Sequence, residues 1–164
     1  MPVPGFVRVV LLPGPAIRRM LDRHRQCGSS QVEREAVLFA NEAFYRAFAD
    51  RNIAAMEQVW AESEPVVCIH PGWNPIVGRA QVLASWRAIL ANPGSPAIVC
   101  RRPRAFLCGD SAFVICYEAV NEAVLVATNI FVREGRSWKL AHHHAGPVSP
   151  PADEEEEEAE SAIH

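Results

Sequence analysis

The sequence lacks the long apolar run that a membrane-spanning helix requires, since no stretch approaches about 20 consecutive apolar residues. It also lacks paired cysteines. The five cysteines are an odd number without a CxxC spacing, and four of them fall within apolar runs. We interpret them as buried, reduced thiols, which is typical of a cytoplasmic protein. The composition therefore predicts a soluble, cytoplasmic chain that does not depend on disulfides or on a membrane.

The central part of the chain lacks net charge. Residues 31–149 carry eleven basic and eleven acidic side chains, which gives no electrostatic reason to expect a nucleic-acid partner. The uncompensated charges lie at the ends of the chain. Residues 1–30 carry five arginines against one aspartate, and residues 150–164 carry seven acidic side chains.

These contrasts predict three parts. Residues 1–30 are expected to be an extension outside the fold, disordered or derived from a misassigned start, with a targeting segment as the alternative. Residues 31–149 are expected to form one domain, because apolar residues make up 49% of the chain and concentrate there. Residues 150–164 are expected to be an acidic, disordered tail that aids solubility.

Helical periodicity comes first in the domain and β-type sequence follows. Apolar residues recur at helical spacing over 31–50, over a short segment that Asn52 can cap, and over 79–91. Four β-rich runs separated by turn residues then predict an antiparallel meander over 97–107, 112–121, 123–133 and 137–145, after an earlier short strand over 66–70. Pro103 predicts an edge position or a bulge in the first of the four. The fold class is therefore α+β, with three helices packed on one face of a curved antiparallel sheet.

Local motifs occur in the same order as in a known family. They are Ala43-Phe44-Tyr45-Arg46-Ala47-Phe48, the break at Asp50-Arg51-Asn52, Trp60, His70-Pro71-Gly72-Trp73, Gly78-Arg79, Trp86, Thr128-Asn129 and the run from Trp138 to His144. Over about residues 33–148 the chain resembles the nuclear transport factor 2-like (NTF2-like) superfamily, in its SnoaL-like branch.

The resemblance implies a cone-shaped, cystatin-like domain that binds a small, largely apolar molecule and forms a homodimer through its outer sheet face. It also implies acid–base chemistry without a cofactor, of the isomerase, cyclase or dehydratase type. The alternative is a non-catalytic module for ligand sensing or protein assembly. The chain departs from the isomerase pattern, which uses an aspartate base, because no aspartate lies on a predicted strand.

Two candidate catalytic residues are His70 and Glu118. His70 ends a strand beside Trp73, where a base that titrates near neutral pH suits proton abstraction from an apolar substrate; a turn histidine bonded to backbone is the alternative. Glu118 interrupts an apolar strand, and in a dry pocket its pKa would rise. Alternation does not decide whether Glu118 or Tyr117 points inward.

Two further candidates, His142 and His144, lie on the last strand. Strict alternation from Trp138 and Leu140 places both on the inner face, and His143 on the outer one. Their Cα atoms would lie roughly 6.5 Å apart, which permits joint metal binding with His70 as a third ligand. Because no carboxylate or cysteine completes such a set, we predict no metal and no cofactor.

Four residues are candidates for ligand binding. Tyr45 and Trp86 are core residues that can also line the pocket, and Trp73 adjoins His70. Asn129 interrupts the apolar run of its strand, where a buried amide would orient a ligand or a neighbouring histidine; a purely structural hydrogen bond is the alternative.

Overall fold

The computed structural model describes residues 15–148, with side chains described from Ser30 onward. The chain divides into two compact units, Met1–Val32 and Glu33–His164. The contacts discussed below all lie within the second unit. Residues 1–14 of the expected extension (1–30) and the whole of the expected acidic tail (150–164) lie outside the described residues.

Three helices precede most of the sheet. Helix α1 spans Pro15–Ala49, so it begins well before residue 31, where periodicity predicted its start. Helix α2 spans Ile53–Val59, and its predicted cap is confirmed, because Asn52 Oδ1 accepts a hydrogen bond of 3.0 Å from the Ala55 amide. Helix α3 spans Arg79–Ala91, as predicted.

Residues 15–148 contain six strands: β1 (Val67–Ile69), β2 (Ile76–Val77), β3 (Ile98–Cys108), β4 (Ser111–Val120), β5 (Ala123–Glu134) and β6 (Ser137–Pro147). They form one curved sheet in the order β2-β1-β6-β5-β4-β3. The antiparallel meander of β3 to β6 confirms the prediction, and β1 adds a parallel pairing with β6. The architecture is the predicted α+β fold.

Pro103 lies at a bulge in an edge strand, as predicted. The register of β3 with β4 shifts between Arg101, which pairs with Tyr117, and Arg104, which pairs with Ile115. A proline is tolerated there because its missing N–H removes no ladder hydrogen bond.

A second irregularity lies in β6. Leu140 pairs with Phe131 and His142 pairs with Ile130, so Ala141 is an additional residue without a partner in β5. A bulge of this kind restarts the inward and outward alternation of a strand. Leu140 before the bulge and His143 after it consequently both lie on the buried face.

The core lies between the helices and the inner face of the sheet. Its largest fully buried side chains are aromatic or long and apolar: Phe44, Met56, Trp60, Phe131 and Leu140. Each such residue contributes about 1.5–3 kcal/mol by leaving water, which is the main force that holds the helices on the sheet. Among the described side chains, five polar residues are buried with them, and four of these form the candidate site together with Tyr45.

Candidate functional site

The polar network comprises Asn41, Tyr45, Glu118, Asn129 and His143, all buried against the inner sheet face. Tyr45 Oη donates a hydrogen bond of 2.8 Å to Glu118 Oε1. Asn129 Nδ2 donates to Asn41 Oδ1 at 2.7 Å and reaches Tyr45 Oη at 3.3 Å. His143 Nδ1 lies 2.6 Å from Asn129 Oδ1. One connected set of side chains therefore joins helix α1 to three strands.

Local structure explains the convergence. Asn41 and Tyr45 are four residues apart on α1 and therefore share one face of the helix. Asn129 on β5 pairs directly with His143 on β6, which places their side chains side by side. Glu118 lies at a buried position of β4, where inner and outer residues alternate regularly. The structure thus decides the open question in favour of Glu118 over Tyr117 as the inward residue.

The network fixes the tautomer of His143. Asn129 uses its Nδ2 group as the donor to Asn41, so its Oδ1 must accept the hydrogen bond from Nδ1–H of His143. The other ring nitrogen, Nε2, then carries a lone pair and lies 4.0 Å from Glu118 Oε1. Neutral His143 is consequently held with an acceptor nitrogen next to a carboxyl group.

Burial shifts the pKa values of Glu118 and His143 so that each group favours its neutral form. Desolvation raises the pKa of Glu118, and the hydrogen bond from Tyr45 partly opposes this rise. Desolvation, reinforced by the neighbouring histidines, lowers the pKa of His143 to about 3. The contact between them is therefore not an ion pair, because both groups favour their uncharged states.

His70 lies in an adjoining cluster. Its Nε2 atom is 2.9 Å from Ser85 Oγ, whose own hydroxyl donates to the Val82 carbonyl at 2.7 Å, so His70 Nε2–H is the donor. The His70 ring packs at 4.7 Å from Trp86, and burial lowers its pKa to about 4. Its bond is to the Ser85 side chain, and its catalytic role stays a prediction.

The expectation that His142 and His144 face inward is wrong. His144 is exposed and His142 half-buried, and their rings lie 6.3 Å apart on the outer side of the sheet. His143 is the buried member of the three. The bulge at Ala141 restarts the alternation, so facing cannot be counted through it. Within the described residues, no three His, Cys, Asp or Glu side chains are arranged to hold a metal.

The predicted ligand-binding residues separate into two groups. Tyr45, Trp86 and Asn129 are buried, whereas Trp73 is 52% exposed and contacts His70 from the surface at 5.0 Å. The indole N–H of Trp86 is buried and has no hydrogen-bond partner among the described residues. An unsatisfied donor of this kind is uncommon in a folded core and would be satisfied by a ligand or water.

Sequence reasoning missed Asn41, Ser85 and His143. The spacing of Asn41 to Tyr45, one helical turn, was a usable signal for the first of these residues. Ser85 carries no comparable signal, because a serine on the face of a helix is common. His143 was missed because of the bulge.

An open groove leads to the network. It has a volume of about 460 Å³ and is lined by Asn41, Tyr45, Cys100 and Pro103, together with the α1 residues Glu35, Leu38, Phe39 and Glu42. Two members of the network therefore form part of its wall.

None of the helices within residues 15–148 combines the length and the apolar character needed to cross a bilayer.

Solved structures share this fold. A solved structure from Streptomyces avermitilis, a candidate dehydratase of the NTF2-like family, is 32% identical with a TM-score of 0.67, over 73% of this chain and 99% of that one. A candidate association domain of calcium/calmodulin-dependent protein kinase type II from Thiobacillus denitrificans is 32% identical with a TM-score of 0.59, over 67% and 93% of the two chains.

A curated relative is the F-box protein SKIP8 of Arabidopsis thaliana, 27% identical over 112 residues. The match covers 67% of this chain and 48% of SKIP8. The chain therefore spans about half the length of that protein. The family model of the SnoaL-like domain matches residues 37–151. The chain therefore belongs to the SnoaL-like domain family, within the NTF2-like superfamily.

Proposed function

We propose that this domain binds a small, largely apolar carbonyl compound and transfers a proton to or from it, with Glu118 as the acid–base group. The observation that carries the proposal is the burial of a carboxyl group, 2% exposed, within a fully connected polar network. Burying a carboxyl group is costly, and an apolar side chain of similar volume often stabilises a core as well or better, so the retention of Glu118 favours a chemical role.

The environment of Glu118 suits this chemistry. A carboxyl group whose pKa is raised toward neutral pH can accept a proton when ionised and return it when neutral. Tyr45 Oη donates to Glu118 Oε1, and the acceptor nitrogen of His143 lies 4.0 Å from the same oxygen. Asn129 contacts both Tyr45 and His143 and is itself held by Asn41. This second layer of contacts provides the rigidity that proton transfer requires.

Three nearby side chains would orient the substrate. The unpaired Trp86 indole N–H is a donor for a carbonyl oxygen, and the rings of Phe44 and His70 supply flat surfaces around it. In the proposed reaction, Glu118 removes a proton next to the carbonyl group, and the same proton is then delivered to the substrate or to a departing hydroxyl group. The net result is isomerisation or loss of water. The relative from Streptomyces, a candidate dehydratase, is consistent with the second outcome.

Two probes test the proposal. β-Tetralone reports proton abstraction by taking up deuterium from D2O, and the aldol of benzaldehyde and acetone reports dehydration by forming a conjugated, ultraviolet-absorbing enone. We expect the protein to accelerate at least one reaction above buffer, and Glu118→Gln to reduce that acceleration on the order of a hundredfold.

The control is Glu122→Gln, the same substitution at an exposed position of the β4–β5 turn. It should leave the rate unchanged. If neither probe reacts faster than in buffer, or if the two variants lose activity equally, the acid–base assignment is wrong.

Assembly with a second copy is the other candidate function, because the outer sheet face is apolar. Phe106 on this face is 40% exposed and stacks on Phe113 at 4.9 Å, and Val99 of the same edge strand is 55% exposed. The relative from Thiobacillus, a candidate association domain, supports this use of the fold. Light scattering should give the mass of a homodimer or larger assembly. Phe106→Glu should reduce it to a monomer, and an unchanged mass would exclude this face.

A further inference from the structure

Two thiols adjoin the polar network without taking part in the proposed proton transfer. Cys100 on β3 and Cys116 on β4 are both free and lie on adjacent strands, where Cys100 pairs with Glu118 and Cys116 is two residues before Glu118 on the same inner face. Tyr45 Oη lies 3.1 Å from Cys116 Sγ, and Asn41 Nδ2 donates to Cys100 Sγ at 3.7 Å. The thiol pair therefore contacts the two helix residues of the polar network, one of which, Tyr45, also donates to Glu118.

The two cysteines differ in exposure and in ionisation. Cys100 is half-buried and forms part of the wall of the 460 Å³ groove, whereas Cys116 is fully buried. Hydrogen bonds from Cys116 and Asn41 lower the pKa of Cys100 against the effect of desolvation, while the pKa of Cys116 is raised. The accessible thiol is thus the one that favours the nucleophilic thiolate form, and the sheltered thiol keeps its proton.

The backbone around the pair has room to adjust. Cys116 lies opposite the bulge of β3, where Arg102 and Pro103 have no register partner in β4. Arg102 also has a positive φ of 50°. A disulfide requires a sulfur–sulfur distance of about 2.05 Å, so the two side chains must approach each other. A bulged edge strand permits that movement more readily than a regular ladder does.

We propose that Cys100 and Cys116 form a hydroperoxide-sensitive dithiol site, with the groove as the path of the oxidant. The Cys100 thiolate attacks the outer peroxide oxygen, the O–O bond breaks, and the thiol becomes a sulfenic acid as water or an alcohol leaves. The Cys116 thiol then attacks the Cys100 sulfur, its proton leaves with the hydroxyl group as water, and a disulfide forms. Two electrons pass from the thiol pair to the peroxide.

The experiment is peroxide titration of the full chain, followed by blocking with N-ethylmaleimide and peptide mass spectrometry. Cys108 and Cys116 occur in one tryptic peptide, residues 105–133, so the measurement uses Cys108→Ser, which removes an exposed thiol at the end of β3. We expect a linked pair of peptides, residues 88–101 with residues 105–133. Cys100 should lose its free thiol at least tenfold faster than buried Cys68, whose pKa burial raises to about 12.

Two further variants show which cysteine reacts with the peroxide first. In Cys116→Ala, dimedone should trap a lasting sulfenic acid on Cys100, because the resolving thiol is gone; in Cys100→Ala, Cys116 should not react with dimedone. The idea is wrong if the linked peptides form only in urea, or if Cys68 is oxidised as fast as Cys100. Since all readouts are masses, the outcome does not depend on whether Glu118 is catalytic.

Discussion

Replacing His143 by alanine should destabilise the domain far more than the same change at His144. The two residues are adjacent, share one side-chain type and lie on opposite faces of one strand, and the bulge at Ala141 makes His143 the buried one. His143 is buried against Phe44, with ring centroids 5.1 Å apart, whereas His144 is exposed to solvent. The comparison therefore isolates the effect of facing.

Two contributions determine how much unfolding free energy His143→Ala loses. Removing the imidazole leaves Asn129 Oδ1 without its hydrogen bond in a buried site, which costs about 1–3 kcal/mol. The loss of a buried ring also leaves a cavity beside Phe44 and Trp86, and substitutions of this size usually cost about 2–5 kcal/mol in total. We therefore expect a loss of about 3–5 kcal/mol for His143→Ala, and no more than about 0.5 kcal/mol for His144→Ala.

Urea unfolding followed by tryptophan fluorescence measures both values. With a slope of about 2 kcal/mol per molar, the His143 variant should unfold at a urea concentration lower by about 2 M. His143→Gln is the matched control, since its amide can still donate to Asn129 and should recover part of the loss. Equal midpoints for His143→Ala and His144→Ala would refute the facing of β6.

Three further outcomes are expected. Because burial lowers the pKa of His70 from 6.5 to about 4, its contribution to stability is complete above pH 6.5 and is lost as the pH falls toward 4, by roughly 3 kcal/mol. Urea midpoints should therefore fall between pH 7 and 5, and His70→Phe should flatten that decline. Asn52→Ala should lower the unfolding free energy by about 1 kcal/mol, and Asn52→Asp should retain it, because only alanine removes the cap on Ala55; equal losses would exclude the cap. The raised pKa of Glu118 means that the wild-type domain loses stability as the pH rises above 4.5. The gain in unfolding free energy of Glu118→Gln over the wild type should therefore be larger at pH 8 than at pH 5. The same difference at both pH values would contradict this.

Much of the fold could be predicted because its signals are local. The turns between β3, β4, β5 and β6 contain Gly, Asn or Asp between β-rich runs, and such turns join neighbouring antiparallel strands. Asn52 and the break before it located the start of α2. The parallel pairing of β1 with β6 gives no such signal, because its partners are some 75 residues apart and the contact depends on how the whole sheet closes.

The candidate site was only partly predictable, for a geometric reason. Period-2 alternation assigns facing only within an uninterrupted strand. On β4, where the ladder with β5 is regular, it places Glu118 and Tyr117 on opposite faces but does not say which face is buried. On β6 the same rule fails after one unpaired residue. Alanine is common in strands, and neither Ala141 nor its neighbours in the sequence give a signal that predicts the bulge.

The bulge at Ala141 has a physical cause that lies elsewhere in the chain. Before it, Leu140 forms a bridge with Trp60 at the end of α2, and its carbonyl accepts the Ala61 amide; after it, His142 pairs with Val67 of β1. Strand β6 thus changes its neighbour on one side at the point where it gains a residue relative to β5. The segment that follows α2 therefore helps to determine which histidine faces the core. Residues far apart in sequence therefore set the facing of β6. For that reason the assembled sheet, and not the strand sequence alone, determines where Glu118 and His143 lie relative to each other.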